Sequence, residues 1–364
     1  MTTIVLSAGG TGGHLFPAQA LAAELLQRGR KIVVMTDARG RNYDTAFPGA
    51  AIESVPAATF VGSVFARLGA PFRILSGVAV GMRKLRRINP AAIIGFGGYP
   101  TLTVMAAAQL GGFPTAIHEQ NAVLGRANRL LVKRVRAVAA SLPFARFAPP
   151  DASRIVQTGN PVRAEAARLA GSPYVSPCGG EPIRLLVFGG SQGARALSEL
   201  VPAAIARLAL PLRSRLRVVQ QCRPEDLETV RAAYDATQVS AELATFFGDL
   251  PARMADAHLV IARSGASTVS ELTVIGRPAI LVPFPFATDD HQTANAEILE
   301  KAGAAWLVQQ RDLSAEKLAR LMEEIVAVPG ELARRAAAAA TLGRPDAARR
   351  LADLVDRIAQ AGAA

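Results

Sequence analysis

Four glycine-rich turns, each between a strand pattern and a helix pattern, constrain the fold of this chain most. They are Ser7–His14 (SAGGTGGH), Gly95–Pro100 (GFGGYP), Gly189–Arg195 (GGSQGAR) and Arg263–Thr268 (RSGAST). Short β-rich runs alternate with helical patterns throughout, which is typical of parallel βαβ units. Glycine lets the backbone approach a ligand closely, and a helix N-terminus behind the turn favours negative charge. The turns therefore predict sites for phosphate-bearing ligands.

The sequence of strand, glycine-rich turn and helix begins twice, at positions about 180 residues apart in a chain of 364. A length of ~150 residues per domain also favours two domains. We expect an α/β fold with two Rossmann-like domains whose parallel sheets face a cleft. The predicted domains are 1–163 and 164–344, with a C-terminal helix at about 345–364 packing back on the first. We interpret Gly171–Glu181 as a linker and Thr245–Phe247 as a strand.

Composition excludes several classes of protein. Half of the residues are hydrophobic and 19% are charged, so the chain is not disordered. Two cysteines, Cys178 and Cys222, cannot form a disulfide framework and suit a reducing compartment. The N-terminus shows no signal-peptide pattern. The uncharged stretch Ile88–Ile117 is interrupted by glycine and proline, which argues against a transmembrane helix.

The net charge of +12 arises entirely in the first 150 residues, which hold 17 basic and 5 acidic residues. Such asymmetry indicates an anionic partner, either nucleic acid or phospholipid. The segment Phe60–Arg87 combines apolar and basic residues as a monotopic membrane anchor does, although a core helix with a solvated basic face is the alternative. The residues predicted to contact a membrane are Phe65, Phe72, Leu75, Arg83, Lys84, Arg86 and Arg87.

Polar side chains follow several predicted strands of the first half. His14 ends the first turn, where an imidazole can take a proton from a bound hydroxyl. The polar run His118–Asn121 is costly to bury without a partner. We expect His14 to act in catalysis, and this run and Arg163 to contact a ligand. A structural histidine and a surface arginine are the alternatives.

In the second half, Glu271 lies one helical turn beyond Thr268, where its carboxylate can accept two hydrogen bonds from a vicinal diol such as ribose. The dense polar set Thr288–Asn295 can contact sugar hydroxyls, or it is a helix N-cap with a polar first turn. The four histidines show no metal-ligand spacing and the chain has no Asp-x-Asp motif, so we expect neither a catalytic metal nor a cofactor.

Two other classes of protein fit the sequence less well. A Rossmann dehydrogenase needs one G-x-G-x-x-G turn and an acidic residue after the second strand, for which Asp37 is the nearest candidate. Four glycine-rich turns over two halves argue against it. An RNA-binding protein would interleave aromatic residues with the basic ones, but aromatic residues make up only 5% of the chain. We therefore expect no nucleic-acid partner.

Taken together and in order, these motifs resemble those of the bacterial MurG glycosyltransferases, which have the two-domain fold called GT-B. The resemblance covers nearly the whole chain and is carried by GGTGGHLFPAQALA, GFGGYP, HEQNAVLGRANR, TGNPVR, GGSQGAR, RSGASTVSEL and PFPFATDDHQTANA. Two positions depart from the family pattern. Pro100-Thr101 replaces a small residue followed by serine, and Gln220–Arg223 replaces His-Gln-x-Gly, which affects the detail of the donor pocket.

The resemblance implies a metal-independent, inverting transfer of N-acetylglucosamine from UDP-GlcNAc. The acceptor would be the 4-hydroxyl of MurNAc in lipid I (undecaprenyl-pyrophosphoryl-MurNAc-pentapeptide), and the product would be lipid II for peptidoglycan synthesis. The first domain would bind acceptor and membrane, and the second the donor. An anionic phospholipid surface at the cytoplasmic face of the plasma membrane and a cell-wall synthesis complex are the further partners implied. Another membrane-lipid glycosyltransferase is the alternative, but HEQN with Asn121 favours the peptidoglycan enzyme.

The resemblance also implies roles for individual residues. His14 would be the general base or would position the acceptor, and Glu119 is the next candidate for the base. The substrate-binding set is Thr11, Gly12, Gly13, Asn121, Arg163, Ser191, Gln192, Phe247, Ala266, Ser267, Thr268, Glu271 and Gln292. Within it, Glu271 would hold the ribose, Gln292 would contact the sugar and Phe247 would neighbour the uracil. Ser191, Gln192 and Arg163 are suited to stabilise the leaving diphosphate.

Overall fold

The computed structural model describes residues 2–9, 12–37, 46–56, 70–190 and 193–362, without the side chains of residues 70–74 and Tyr99. The chain divides into two compact units. Unit 1 comprises Met1–Arg163 and Arg344–Ala364, and unit 2 comprises Ala164–Gly343. Each unit is built on one parallel sheet. This confirms the predicted α/β class with two Rossmann-like units.

The sheet that the structure describes in unit 1 has seven strands in the order β3-β2-β1-β4-β5-β6-β7. The strands are β1 (Thr3–Ser7), β2 (Lys31–Thr36), β3 (Ala51–Ser54), β4 (Ala92–Gly95), β5 (Thr115–Glu119), β6 (Ala137–Ala140) and β7 (Ile155–Gln157). The helices are α1 (Gly12–Gln27), α2 (Ala70–Ile88), α3 (Tyr99–Leu110) and α4 (Arg126–Leu131). Alternate residues of β1 enter different core layers, because Ile4 and Leu6 pack on one face of the sheet and Val5 on the other.

The sheet described in unit 2 has six strands in the order β10-β9-β8-β11-β12-β13. They are β8 (Ile183–Phe188), β9 (Leu216–Gln221), β10 (Ser240–Ala244), β11 (Leu259–Ala262), β12 (Ala279–Leu281) and β13 (Ala305–Leu307). The helices are α5 (Ala164–Arg168), α6 (Arg195–Ile205), α7 (Leu210–Arg213), α8 (Leu227–Thr237), α9 (Leu250–Asp256), α10 (Ala266–Ile275), α11 (His291–Lys301), α12 (Ala315–Ala327) and α13 (Glu331–Leu342).

The last helix, α14 (Ala347–Ala361), belongs to unit 1 although it follows unit 2 in the chain. Its apolar side chains, including Leu351 and Val355, are buried in the core that contains Ile4 and Leu21. Arg28 and Arg30, which follow the end of α1, form ion pairs with two aspartates of α14. Arg28 lies 2.7 Å from Asp353, and Arg30 and Arg28 lie 2.8 and 3.1 Å from Asp356.

The strand order places the four glycine-rich turns beside the point in each sheet where the order of strands reverses. In unit 1 the order changes direction beside β1, which lies between β2 and β4, and in unit 2 beside β8, which lies between β9 and β11. Ligands of open parallel sheets bind outside the carboxyl ends of the strands at such a switch point. The turns after β1 and β4 flank the switch point of unit 1, and those after β8 and β11 flank that of unit 2.

Two details of the predicted organisation are wrong. Thr245–Phe247 follows the strand β10 instead of forming one, because Ser240–Ala244 pairs in register with β9 and Phe246 is exposed. The segment Gly171–Glu181 lies inside unit 2. It is held there because Arg277 donates hydrogen bonds to the carbonyl oxygens of Ser172 and Pro173.

No helix among the described residues combines the length and the apolar character needed to cross a membrane.

Candidate active site

His14 is the third residue of α1, and the second glycine-rich turn forms the surface on which its ring packs. Gly97 and Gly98 both have positive φ, at 90° and 81°. A Cβ atom on Gly97 would lie 3.2 Å from Cε1 of His14, closer than ordinary packing allows. Glycine is therefore needed at Gly97 both for the backbone conformation and for the approach of the imidazole.

Pro100 and Thr101, which depart from the family pattern, connect the two glycine-rich turns of unit 1. The Thr101 hydroxyl lies 2.9 Å from the carbonyl oxygen of Ser7 and 2.7 Å from that of Gly97. A Cβ atom on Gly9 would lie 2.8 Å from Cγ of Pro100. Pro100-Thr101 therefore serves a structural purpose, since it joins the end of β1 to the turn after β4.

Beneath His14, the polar run of β5 forms a buried hydrogen-bonded chain. Nδ1 of His14 lies 3.1 Å from Oε1 of Gln120, whose Nε2 lies 3.0 Å from Nδ1 of His118. Nε2 of His118 lies 3.3 Å from the carbonyl oxygen of Gly159. Burial lowers the pKa of His118 to about 4, so this imidazole is neutral at pH 7.

The carboxylate of Glu119 is buried and accepts four hydrogen bonds, three from the loop that follows it and one from α4. Oε1 accepts from the backbone and side-chain nitrogens of Asn121 at 3.2 and 3.3 Å. Oε2 accepts from the backbone of Gly125 and from Nδ2 of Asn128, both at 2.8 Å. Its lone pairs are thus engaged in ordering the loop between β5 and α4, which carries Asn121.

The other predicted residues of unit 1 are placed as follows. Gly12 and Gly13 form the first turn of α1, whose N-terminal amide groups have no acceptor within the helix. The guanidinium carbon of Arg163 lies 5.5 Å from the ring centre of Phe16, also on α1. Thr11 lies outside the described residues, as do Ser191 and Gln192 of unit 2.

In unit 2, the turn after β11 leads into the N-terminus of α10. Gly265 is the N-cap of this ten-residue helix, and Ala266, Ser267 and Thr268 form its first turn. Their amide groups point out of the helix end, where negative charge is stabilised. The Ser267 hydroxyl is buried and has no hydrogen-bond partner among the residues the structure describes. A buried hydroxyl of this kind is costly to leave unpaired, which favours a bound ligand.

The turns after β11 and β12 are joined around Ser264. Its hydroxyl donates to the carbonyl oxygen of Gln292 at 2.8 Å, and its carbonyl accepts from Nδ2 of Asn295 at 3.0 Å. The side chain of Gln292 accepts from the backbone of Phe284 through Oε1 at 3.0 Å. This bond fixes the orientation of the Gln292 amide against the turn after β12.

Two further predicted residues of unit 2 are buried. Glu271 is 3% exposed and lies on the same side of α10 as Ser267 and Thr268, four and three residues before it. Phe247 is 6% exposed, and the guanidinium carbon of Arg253 lies 4.3 Å from its ring centre.

The departure Gln220–Arg223, at the end of β9, affects the surroundings of the third glycine-rich turn. A Cβ atom on Gly193 would lie 2.6 Å from Cγ of Arg223, so this arginine packs directly on the turn. Arg223 is held by Asp226 at 2.8 Å. Gln220 is buried and its Oε1 accepts from the Tyr234 hydroxyl at 2.6 Å. These contacts are structural.

Two buried side chains of the site, Asn128 and Asn160, were not predicted as site residues, and a third, Gln120, was predicted only as part of the run His118–Asn121. Gln120 and Asn128 contact His14 and Glu119, as described above. Asn160 is 4% exposed, and neither polar atom of its side chain has a partner among the described residues. The signal was present in the sequence, because all three lie in polar motifs directly after strands, but the motifs do not show which side chain turns inward.

Comparison with known proteins agrees with this arrangement. Residues 4–140 match the model of the glycosyltransferase family 28 N-terminal domain, and residues 184–351 match that of the family 28 C-terminal domain. A curated protein of Paramagnetospirillum magneticum (strain AMB-1) is 52% identical over 354 residues, covering 97% of this chain and 95% of the relative. One of Chelativorans sp. (strain BNC1) is 52% identical over 362 residues, covering 98% and 95%. Both are named UDP-N-acetylglucosamine–N-acetylmuramyl-(pentapeptide) pyrophosphoryl-undecaprenol N-acetylglucosamine transferase.

Solved structures give the same picture. The crystal structure of Acinetobacter baumannii MurG is 31% identical with a TM-score of 0.82, covering 98% of this chain and all of that one. The calicheamicin glycosyltransferase CalG4, 17% identical with a TM-score of 0.65 and 98% coverage of each chain, shares the fold. The similarity over the full length and the two matched domains lead to one conclusion: the chain belongs to glycosyltransferase family 28, among the MurG N-acetylglucosamine transferases.

Proposed function

We propose that this chain transfers N-acetylglucosamine from UDP-GlcNAc to the 4-hydroxyl of MurNAc in lipid I, giving lipid II for peptidoglycan synthesis. The observation that carries the proposal is that the family's motifs occupy the turns at both switch points, where ligands of such sheets bind. The acceptor is assigned to unit 1 and the donor to unit 2. The full-length similarity to named transferases supports the same reaction.

In unit 1, His14 is the general base. A base must take the proton of the acceptor hydroxyl as the new glycosidic bond forms, and an imidazole does so near neutral pH. Glu119 is less suited, because its four hydrogen bonds already hold a carboxylate in place. We assign it to ordering the loop that presents Asn121 to the acceptor or sugar.

In unit 2, the N-terminus of α10 and the hydroxyl of Ser267 receive the diphosphate of the donor. Charge grows on this diphosphate as the sugar leaves, so fixed donors there stabilise the transition state. By the family resemblance, Ser191, Gln192 and Arg163 are suited to add further donors. Glu271 accepts the ribose hydroxyls, Gln292 donates to the sugar, and Phe247 lies beside the uracil.

The transfer itself can be measured with radiolabelled UDP-GlcNAc and a lipid I analogue. We expect label to appear in the lipid product and UDP to be released in equal amount. Adding a chelator should leave the rate unchanged, because protein donors serve the diphosphate in place of a metal. No transfer to lipid I, or transfer to diacylglycerol instead, would overturn the assignment of the acceptor.

Unit 1 also docks on an anionic phospholipid surface at the cytoplasmic face of the membrane. It holds 23 basic and 9 acidic residues, whereas unit 2 holds 18 and 20. On α2, Leu75, Ala79, Arg83 and Arg86 follow one another at helical spacing and are all exposed, Leu75 by 68%. A stripe of this composition suits a lipid surface.

The other predicted membrane residues differ in their surroundings. Lys84 and Arg87 both lie 2.5 Å from the carboxylate of Glu53 on β3, so they are engaged with the protein. The helix docks closely beside the end of β3, since Gly77 and Gly81 are buried and a Cβ atom on Gly77 would clash with the carbonyl oxygen of Pro56. Phe65 lies outside the described residues, and the side chain of Phe72 is likewise not described.

Neutralising the two solvent-facing arginines should weaken membrane binding. A basic residue near anionic lipid contributes about 1 kcal/mol, so Arg83→Gln with Arg86→Gln should lower the affinity for phosphatidylglycerol-containing vesicles by about 30-fold. Co-sedimentation of the full chain measures this. The matched control is Arg311→Gln with Arg320→Gln in unit 2, two arginines whose side chains are 82% and 81% exposed. An equal loss of vesicle affinity in the two double variants would contradict the assignment of α2 to the membrane. Vesicle binding that does not depend on the salt concentration would contradict it too.

A further inference from the structure

A buried amide separates His14 from a second histidine, and its orientation determines which nitrogen of His14 carries a hydrogen. We propose that Gln120 is a positioning residue that holds His14 in the tautomer with hydrogen on Nδ1, so that the lone pair of Nε2 accepts the proton of the acceptor hydroxyl. This inference rests on the proposed role of His14 as the base. It adds to that role the residue that makes the imidazole a base at the correct nitrogen.

The orientation of the Gln120 amide follows from its surroundings. Gln120 is 1% exposed, and one terminal atom lies 3.0 Å from the carbonyl oxygen of Phe96. A carbonyl oxygen only accepts hydrogen bonds, so this atom is the nitrogen Nε2. The other terminal atom, 3.1 Å from Nδ1 of His14, is therefore the oxygen Oε1.

His118 fixes the same orientation from the other side. Its Nε2 lies 3.3 Å from the carbonyl oxygen of Gly159, which can only accept, and 3.2 Å from the hydroxyl of Ser141, which can accept as well as donate. A hydrogen on Nε2 satisfies both contacts, whereas a lone pair there would oppose the Gly159 carbonyl. The ring is fully buried and neutral, so Nδ1 carries only a lone pair. This lone pair accepts the second hydrogen of Gln120 at 3.0 Å. Turning the amide over would set its oxygen against two acceptors, the Phe96 carbonyl and Nδ1 of His118.

The tautomer of His14 is then determined. Oε1 of Gln120 can only accept, so Nδ1 of His14 must donate, and the hydrogen of the neutral ring is on Nδ1. The hydrogen bond made by one ring nitrogen decides the protonation of the other. Nε2 is left with its lone pair, which is the state that a general base requires.

Other titratable groups lie near this chain and are unchanged in the variants below. His118 and Glu119 lie on β5, and Arg163 lies over Phe16 on α1. The carboxylate of Glu119 bonds to Asn121, Gly125 and Asn128 instead of to His14. The turn Gly95–Gly98, against which the ring packs, carries no titratable side chain.

The tautomer can be observed directly in the full-length protein with ¹⁵N-labelled histidine, because the chain has only four histidines. His14→Asn identifies the signals of His14. We expect long-range ¹H–¹⁵N spectra at pH 7.5 to show a protonated Nδ1 and an unprotonated Nε2 for His14. In Gln120→Met, which keeps the size of the side chain but removes the acceptor, the His14 signals should move towards the opposite tautomer.

Activity gives the second readout. Gln120→Met should lower kcat by about 10- to 100-fold, as a base in the wrong tautomer does, with KM for UDP-GlcNAc unchanged. Gln120→Glu is the conservative variant. As a neutral acid, the form that burial favours, its hydroxyl still donates to the Phe96 carbonyl and its other oxygen still accepts from Nδ1 of His14. It should retain the Nδ1 hydrogen and most of the turnover.

The outcomes separate this inference from the proposed function. If His14→Ala is inactive but Gln120→Met leaves the tautomer of His14 unchanged, the inference about Gln120 is wrong. The assignment of His14 as the general base is then retained. Equal losses of turnover in Gln120→Met and Gln120→Glu would also overturn it, because packing alone would then explain both. If His14→Ala remains active, the assignment of the base fails, whereas the spectra still report the tautomer.

Discussion

Replacing His14 by alanine should lower the turnover of lipid I by about 100-fold or more while leaving the affinity for UDP-GlcNAc nearly unchanged. The reason is the division of the site. His14 lies on α1 of unit 1, whereas the residues assigned to the donor lie after β11 and β12 of unit 2. Steady-state rates with a lipid I analogue measure the first quantity, and calorimetry with UDP-GlcNAc measures the second.

His14→Asn distinguishes proton transfer from positioning of the acceptor. The asparagine side chain can still donate a hydrogen bond towards Gln120, but it has no basic nitrogen. If His14 is the base, the asparagine variant should be as slow as the alanine variant. If the turnover of His14→Asn stays within a few-fold of the parent, His14 only positions the acceptor, and Glu119→Gln becomes the next variant to assay.

Replacing Glu271 by alanine should weaken UDP binding by about 1–3 kcal/mol, the cost of leaving buried hydrogen-bonding groups unpaired. Glu271 is 3% exposed, so a ribose held by its carboxylate would be shielded from water and would have no substitute partner. Calorimetry with the full chain measures the loss. The melting temperatures of parent and variant show whether the same substitution also disturbs α10.

A second ligand separates a ribose contact from a structural effect. The parent protein should bind UDP more tightly than 2′-deoxy-UDP, because one hydroxyl no longer meets the carboxylate. In Glu271→Ala the two ligands should bind alike. A variant that still prefers UDP to the same degree as the parent would remove the ribose assignment, even if its absolute affinity had fallen.

Local sequence patterns were sufficient for the elements and turns. The strands β2, β6 and β8 begin and end where their apolar runs predict, because short buried strands are bounded by polar or turn residues on both sides. The β-like pair Phe246–Phe247 misled the prediction of β10. Aromatic residues favour strands, yet here they follow one, since pairing with β9 extends over Ser240–Ala244.

Contacts between distant segments could not be predicted in this way. The sequence of α2 presents five basic residues, but only its docking shows that Lys84 and Arg87 turn to Glu53 while Arg83 and Arg86 face solvent. The Gly/Pro-rich appearance of Gly171–Glu181 indicates a linker, yet Arg277, about 100 residues later, holds this segment on unit 2. In both cases the partner lies far away in the chain.

By itself, the sequence determined the α/β class, the positions of the four glycine-rich turns, the charge of the first half and the identity of His14 and Glu271 as candidates. These properties depend on residue types and on spacings of a few positions, which local backbone geometry translates directly into strands, turns and helices. Only the tertiary structure decided that the turns flank a switch point in each sheet, and that Gln120 meets both His14 and His118. The order of strands and the direction of a buried amide depend on packing between segments up to 106 residues apart, which no local pattern records.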